Sequence, residues 1–244
     1  MAGMQIEDSA ALVTGSNRGI GRALVEALLE RGARRVYASA RNASALEPVV
    51  ALDPVRVRAL PLDITDHAAV RAATVVASDI TLLVNNAGVL SPGRLLDLDP
   101  DRARADMETN YFGTLRMVNE FAPLLIANGR GAIVNVLTIV ALASMPGLAG
   151  YNASKAAAWS LTQSYRADLA HSGVAVHGVY PGPVDTDMAR MFDVPKTPPR
   201  DVAQRILDGV ERGIEDIFPD PMSEQVYSAW RQDHKAVERQ FAAA

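Results

Sequence analysis

The hydrophobic positions of this chain change period repeatedly along its length. Ala10–Val13, Val36–Ser39, Leu82–Val84, Ala132–Val136 and Val174–Val179 are short apolar runs bounded by turn-forming residues. They are too brief for helices and predict buried strands. Val55–Leu60 alternates Val with Arg before it reaches the core, which predicts a strand with one wet face. Asp216–Phe218 predicts a short last strand. Between these runs the apolar residues recur at helical spacing. Helices are predicted over 19–30, with Gly32 placed to end the first, and over 66–76, with Thr65 or Asp66 as N-cap. Further helices are predicted over 101–126, 151–171, 201–213 and 222–240. Residues 182–199 are rich in Pro and Met and predict a mobile loop, with 185–198 as the candidate lid over a substrate.

Strands that alternate with helices imply an α/β fold: a mainly parallel sheet covered on both faces. No linker, repeat or low-complexity tract interrupts the alternation, so residues 1–244 read as one domain.

Composition narrows the function classes. Lys plus Arg total 24 against 28 Asp plus Glu, a formal charge of −4, and no basic run attracts nucleic acid. No cysteine is present, which excludes disulfides, thiol nucleophiles and cysteine-ligated zinc. His67, His171, His177 and His234 show no paired ligand spacing, so no metal is expected. The segment Gly131–Gly150 is the most apolar, but Asn135, Thr138, Ser144 and Pro146 interrupt it, which argues against a membrane span. Met1–Asp8 lacks the basic start of a secretory signal, and the expected location is the cytoplasm.

The chemistry gathers where predicted strands end. The first runs into Thr14-Gly-Ser-Asn-Arg-Gly-Ile-Gly21 and then a helix. Glycines permit a tight turn and close ligand approach, and the helix N-terminus offers free N–H groups to a pyrophosphate. Such a loop also makes plain turns, but strand before and helix after favour dinucleotide binding. The second strand ends in Ser39-Ala40-Arg41, with a cation where an NAD site would carry an acid. Arg18 is a second cation in the loop. Either the two arginines face a 2′-phosphate, which favours NADP(H) with NAD(H) possible, or both are simply solvated. The fourth strand ends in Asn85-Asn-Ala-Gly88, whose amides can fix a loop or bond a ribose. Tyr151 and Lys155 stand four residues apart on a helix, on one face. A nearby ammonium is expected to lower the phenol pKa from its usual value of roughly 10. A tyrosine that gives and takes a proton is what alcohol–carbonyl interconversion needs on oxygen.

Taken in order, Thr14-Gly-x-x-x-Gly-Ile-Gly21, Asp63, Asn85-Asn-Ala-Gly88, Asn110, Tyr151-x-x-x-Lys155 and Pro181-Gly182 with Thr186 resemble the short-chain dehydrogenase/reductase family over nearly the whole chain. The resemblance implies a single Rossmann-like α/β/α three-layer sandwich with a doubly wound sheet, a nicotinamide cofactor and a homotetramer or homodimer. It implies cofactor contacts from Gly15, Asn17, Arg18, Gly19, Ile20, Gly21 and Arg41. Asp63 and Ile64 would sit by the adenine, and Asn86, Ala87 and Gly88 by the ribose and nicotinamide half. Lys155 would bond the nicotinamide ribose, and Pro181, Gly182, Val184 and Thr186 the carboxamide and diphosphate. Asn110 would bind a water linking Lys155 to solvent, although a mid-helix Asn often bonds backbone instead.

One position departs from the pattern. The serine the family places thirteen residues before the tyrosine is Thr138 here. Its hydroxyl can still donate to a substrate carbonyl, with χ1 stiffened by the added methyl; the alternative is that it only packs. Ser144 lies at the wrong spacing to replace it. Leu142, Met145, Leu148, Met188, Met191 and Phe192 are candidate walls for a small apolar carbonyl or alcohol substrate. Asp185 and Asp187 read as loop solvation rather than a carboxylate pair. The expectation is therefore an NADP(H)-dependent oxidoreductase with Asn110, Thr138, Tyr151 and Lys155 as its catalytic set. A non-enzymatic NADP(H)-binding sensor or scaffold and an NAD-dependent alcohol dehydrogenase are the rivals. The 151–171 helix and the 222–240 helix, with Tyr227 and Trp230, are candidate subunit contacts.

Overall fold

Among the described residues, seven strands form one sheet in the order β3-β2-β1-β4-β5-β6-β7, and every neighbouring pair is parallel. They are β1 (Ala10–Thr14), β2 (Arg35–Ala40), β3 (Val57–Pro61), β4 (Leu82–Asn85), β5 (Gly131–Val136), β6 (Val174–Val179) and β7 (Asp216–Ile217). The computed structural model describes residues 3–129 and 131–243. Met1, Ala2, Arg130 and Ala244 lie outside the described residues, and with them the first two positions of the N-terminal stretch read above. The helices are α1 (Gly19–Glu30), α2 (Glu47–Val50), α3 (His67–Val76), α4 (Pro100–Met107), α5 (Thr114–Ala127), α6 (Ala149–Asp168), α7 (Pro199–Glu211), α8 (Pro221–Gln232) and α9 (His234–Ala242).

The continuous apolar runs become strands buried on both faces, as a parallel sheet under helices requires. Side chains alternate across the sheet. Ala11 and Val13 enter one layer with α1 and α7, while Leu12 enters the other with α3 and α5. Leu24 and Leu28 of α1 are fully buried, each worth about 1.5–3 kcal/mol of burial. This is a Rossmann-like doubly wound sandwich. Successive strands run outward to β3 on one side of β1 and to β7 on the other side of β4. The crevice between the carboxyl ends of β1 and β4 is where such sheets bind ligands. A third apolar cluster, with Leu137, Tyr151, Tyr180 and Phe241, packs beyond the ends of β5 and β6 and ties in α9.

Several boundaries follow the sequence because local chemistry sets them. Gly32, at φ +79°, ends α1: its N–H bonds Leu29 O at 3.2 Å and the Ala33 N–H bonds Leu28 O at 3.0 Å. Asp66, not Thr65, caps α3 by accepting from Ala68 and Ala69 N–H.

Other boundaries differ. β3 starts at Val57 rather than Val55, because the Asp53 carboxylate accepts the Val55 and Arg56 N–H groups and makes a turn there. The expected 101–126 helix is three pieces, with a π-helical turn over Glu108–Gly113 between α4 and α5. That wide turn carries Asn110 inward and seats Gly113 against Ile64, where a Cβ would stand 2.7 Å from Ile64 Cδ1. The expected 222–240 helix breaks at Asp233, whose extended backbone and side chain cap α9. The short α2 was not expected. The 182–199 loop is pinned at its base, where Asp185 N–H bonds Thr197 O at 2.9 Å and Thr197 N–H bonds Pro183 O at 3.0 Å. No helix of the described residues is long and apolar enough to cross a membrane.

Candidate active site

A cleft of about 620 Å³ opens at the carboxyl ends of the strands. All the expected cofactor residues line it except Gly21, which lies beneath the loop. Thr138 lines it as well, and Asn110 does not.

The glycine loop is held from two sides. Ser16 N–H and Oγ both donate to Ser39 O, anchoring the loop to the end of β2. On the other side the Thr14 hydroxyl donates to Val84 O and accepts from the Asn86 and Ala87 N–H groups at 3.0 Å. The Asn86 amide donates to Thr14 O at 2.9 Å and Gly15 O at 3.1 Å. Of the two roles open to that amide, it therefore performs loop fixation. Gly15 takes φ +64°, and a Cβ at Gly21 would stand 2.2 Å from Gly15 O. The backbone cradle needs glycine at both positions. Arg18, the N-cap of α1, makes no side-chain cap, so the first-turn N–H groups stay open toward an anion. These features fit a dinucleotide pyrophosphate.

The two arginines differ. Arg41 is exposed at the cleft edge, and no ion pair holds it among the described residues. Burial pushes the Asp63 carboxyl up, but hydrogen bonds from Thr65 N–H and hydroxyl, with the Arg41 charge, leave it below its ordinary value. Arg18 is not free: its Nη1 pairs with Asp187 Oδ2 at 2.8 Å, and Asp187 also pairs with Arg190. The reading of Asp187 as mere loop solvation is thus corrected, because the glycine loop supplies it with a cation partner that no local pattern announces.

Tyr151 and Lys155 share a face of α6, with Lys155 Nζ 5.8 Å from the Tyr151 ring centre. Both are buried. Burial pushes the phenol up, a hydrogen bond with the Thr138 hydroxyl pulls it down, and the Asp106 charge pushes it up. The net shift is upward, against the sequence expectation, because desolvation outweighs the hydrogen bond from Thr138. Burial lowers Lys155 to about 8, and its Nζ donates to Val136 O at 2.7 Å. Asn110 Oδ1 accepts the Val89 N–H, and its Nδ2 donates to Val89 O and to Ser154 Oγ, all at 2.9 Å. Ser154 in turn donates to Tyr151 O. Asn110 Oδ1 and Lys155 Nζ both flank Gly88, where a Cβ would stand 3.0 and 3.6 Å from them.

On the substrate side Met145, Leu148, Met188 and Phe192 line the cleft, whereas Leu142 and Met191 do not. Met191 points to solvent and Leu142 packs in the third cluster. Leu90, Val140, Met222 and Phe241 also line it. Met222 and Phe241 come from α8 and α9, remote in sequence and without a local signal. Asp220 was also missed: its Oδ2 accepts the Gly182 N–H at 2.8 Å and fixes the Pro181-Gly182 turn. Its Asp-x-x-Ser capping box at the start of α8 is a readable signal. Among the described residues no group of three or more His, Asp or Glu side chains could hold a metal.

Residues 9–195 match the family model described as short chain dehydrogenase. The chain is 38% identical over 187 residues to short-chain dehydrogenase PC-15 of Penicillium crustosum, covering 74% of this chain and 68% of that one. It is 31% identical over 194 residues to the 3-oxoacyl-(acyl-carrier-protein) reductase FabG of Vibrio cholerae, covering 78% and 79%. Among solved structures it is similar to a short chain dehydrogenase from Burkholderia cenocepacia in complex with NADP. That likeness has a TM-score of 0.92 at 44% identity and covers 98% of this chain and 99% of that one.

Proposed function

The chain belongs to the short-chain dehydrogenase family, and we propose that this oxidoreductase interconverts a ketone or aldehyde and an alcohol with NADP(H), Tyr151 exchanging the proton on oxygen. The observation that carries the reading is the meeting of Thr138, Tyr151 and Lys155 in the cleft that the glycine loop borders. The NADP complex of the Burkholderia cenocepacia relative supports the cofactor, as does Arg41 in place of an acid at the end of β2. NAD(H) remains usable at lower affinity.

The residues divide the work. Gly15, Asn17, Gly19, Ile20 and the open first turn of α1 hold the pyrophosphate, with Gly21 allowing the close approach. Arg41 and Arg18 take the 2′-phosphate. Asp63 and Ile64 border the adenine, Ala87 and Gly88 the ribose. Lys155, Pro181, Gly182, Val184 and Thr186 hold the nicotinamide half. When bound, the cofactor supplies or accepts the hydride at the carbonyl carbon. Thr138 donates a hydrogen bond to the carbonyl oxygen and orients it. Tyr151 gives its phenolic proton to that oxygen in reduction and takes it back in oxidation. Burial keeps the phenol protonated, which suits a donor. Lys155 lowers the cost of the phenolate, and Asn110 keeps Val89 and Ser154 fixed beside the proton path.

The apolar walls, Leu90, Val140, Met145, Leu148, Phe192 and Phe241, suit a substrate without charge. The whole chain is read as one catalytic domain, working as a homodimer or homotetramer in the cytoplasm.

The test is oxidation of NADPH, and separately NADH, with a panel of apolar aldehydes and ketones beside Tyr151→Phe. Turnover favouring NADPH and lost in the variant is expected. Tight NADPH binding with no turnover across the panel would point to a sensor instead.

A further inference from the structure

Asp106 lies in α4 with none of its surface exposed, and nothing in the proposed chemistry uses it. An isolated carboxylate is costly to bury unless partnered. Asp106 Oδ2 accepts the Ser91 N–H at 3.3 Å, while Oδ1 has no hydrogen-bond partner among the described residues. Its position is specific. α4 packs closely on α6 at Gly150, where a Cβ would stand 2.9 Å from Asp106 Oδ2 and 3.1 Å from Ala103 Cα. Glycine at 150 is what lets the carboxylate reach the first turn of α6, one residue before Tyr151. Ser91 belongs to the loop leaving Gly88, which meets the segment entering α6 where Gly93 N–H bonds Gly147 O at 2.8 Å.

Building on the reading of Tyr151 as the proton-exchanging group, we propose that Asp106 is a positioning residue that clamps the 89–93 loop to the start of α6 and biases Tyr151 toward its protonated, proton-donating form.

The charges around the carboxylate support the bias. Arg102, on its own helix and exposed, is the cation that acts on it. Arg104 is paired with Asp101 in solvent, and Glu108 of the next turn is paired with Arg116. From α6 the facing groups are Tyr151, which feels the Asp106 charge, and Lys155, whose ammonium is directed to Val136 O. Burial raises the Asp106 carboxyl above its ordinary value against hydrogen bonds from the Ser91 side chain and N–H and the Arg102 charge, and the ionised carboxylate opposes a second negative charge on the phenol. Removing it makes phenolate easier to form. Reduction, which needs the phenol, then fails at lower pH, and oxidation, which needs the phenolate, begins at lower pH.

The experiment compares wild type, Asp106→Asn and Asp106→Ser by pH profiles of kcat in both directions, with Tyr151→Phe as control. Both variants are uncharged, and the serine serves if the amide does not fold. The expected result is that both limbs move to lower pH by about one unit. Amide exchange at Ser91 in the unliganded protein should stay slow in Asp106→Asn and quicken in Asp106→Leu, which has no acceptor. Profiles that superimpose on wild type, or that drop equally at every pH, would overturn the proposal, and so would unchanged Ser91 exchange in Asp106→Leu. Persistent turnover in Tyr151→Phe would instead refute the underlying reading of Tyr151, so the two failures are distinguishable.

Discussion

Arg18 and Asp187 meet at the edge of the cleft, Nη1 to Oδ2 at 2.8 Å, and join the glycine loop to the 182–199 loop across 169 residues of sequence. An arginine proposed to take a 2′-phosphate is thus already engaged by a carboxylate. Asp187 and the phosphate compete for it, while NADH, lacking that phosphate, leaves the pair undisturbed. Both side chains are exposed, so the effect is small. Asp187→Asn should tighten NADPH binding roughly two- to fivefold and leave NADH binding unchanged, as read by calorimetric titration. Equal weakening of both cofactors would mean that the pair only holds the 182–199 loop in place.

Thr138 stands where the proposed mechanism needs a hydroxyl, beside the Tyr151 phenol, and its side chain also receives the Val140 N–H at 3.4 Å. Thr138→Ser keeps both interactions and should retain turnover. Thr138→Ala should lower kcat roughly a hundredfold with little change in NADPH affinity. Steady-state kinetics beside direct cofactor titration separates these outcomes.

Lys155 carries a pH signature. Burial brings its folded-state value down to about 8 from 10.5 in the open chain. Between those values the unfolded chain binds more protons than the folded one, so stability rises with pH across that window. The lysine's penalty is largest below about 8 and fades as pH approaches 10.5. Lys155→Met removes the titration. Its melting temperature relative to wild type should therefore fall as pH is raised from 7.5 to 10. A constant difference in scanning calorimetry of the unliganded proteins would contradict this.

His177 titrates at the acid end. It is buried in β6 with Nδ1 2.6 Å from Ile214 O and no hydrogen-bond partner for Nε2 among the described residues. Burial lowers its pKa below the usual 6.5. A depressed value means stability present above 6.5 that is lost as pH falls through the folded-state value. His177→Asn, which keeps a donor toward Ile214 O, should melt with a weaker dependence on pH between 6.5 and 5.

How much the sequence showed depended on the range of the interactions involved. Gly32 ends α1 and Asp66 caps α3 through partners within five residues, so a one-dimensional pattern contains them. The alternation of short apolar runs with helical periodicity likewise requires a parallel sheet between two layers, because nothing else buries both strand faces. The glycine loop, Arg41, Asp63 and the Asn86–Gly88 turn were legible for a related reason: each follows the end of a strand, and strands that run parallel in one sheet end on the same side.

The amino-acid sequence by itself therefore determined the layered parallel sheet, the glycine cradle and the pairing of Tyr151 with Lys155 on one helical face. Tertiary structure alone decided the rest. The inward turn of Asn110 needs a π-helical turn fitted to Val89 and Ile64. The Arg18–Asp187 pair, the Asp220 clamp on Gly182 and the Phe241 wall join positions far apart in the chain. The ionisation of Tyr151 was also decided there. Helical spacing brings an ammonium near the phenol, but the depth of burial and the Asp106 charge from another helix set the sign of its shift. Desolvation and long-range charge depend on everything packed around a group, and no local pattern of residues encodes that.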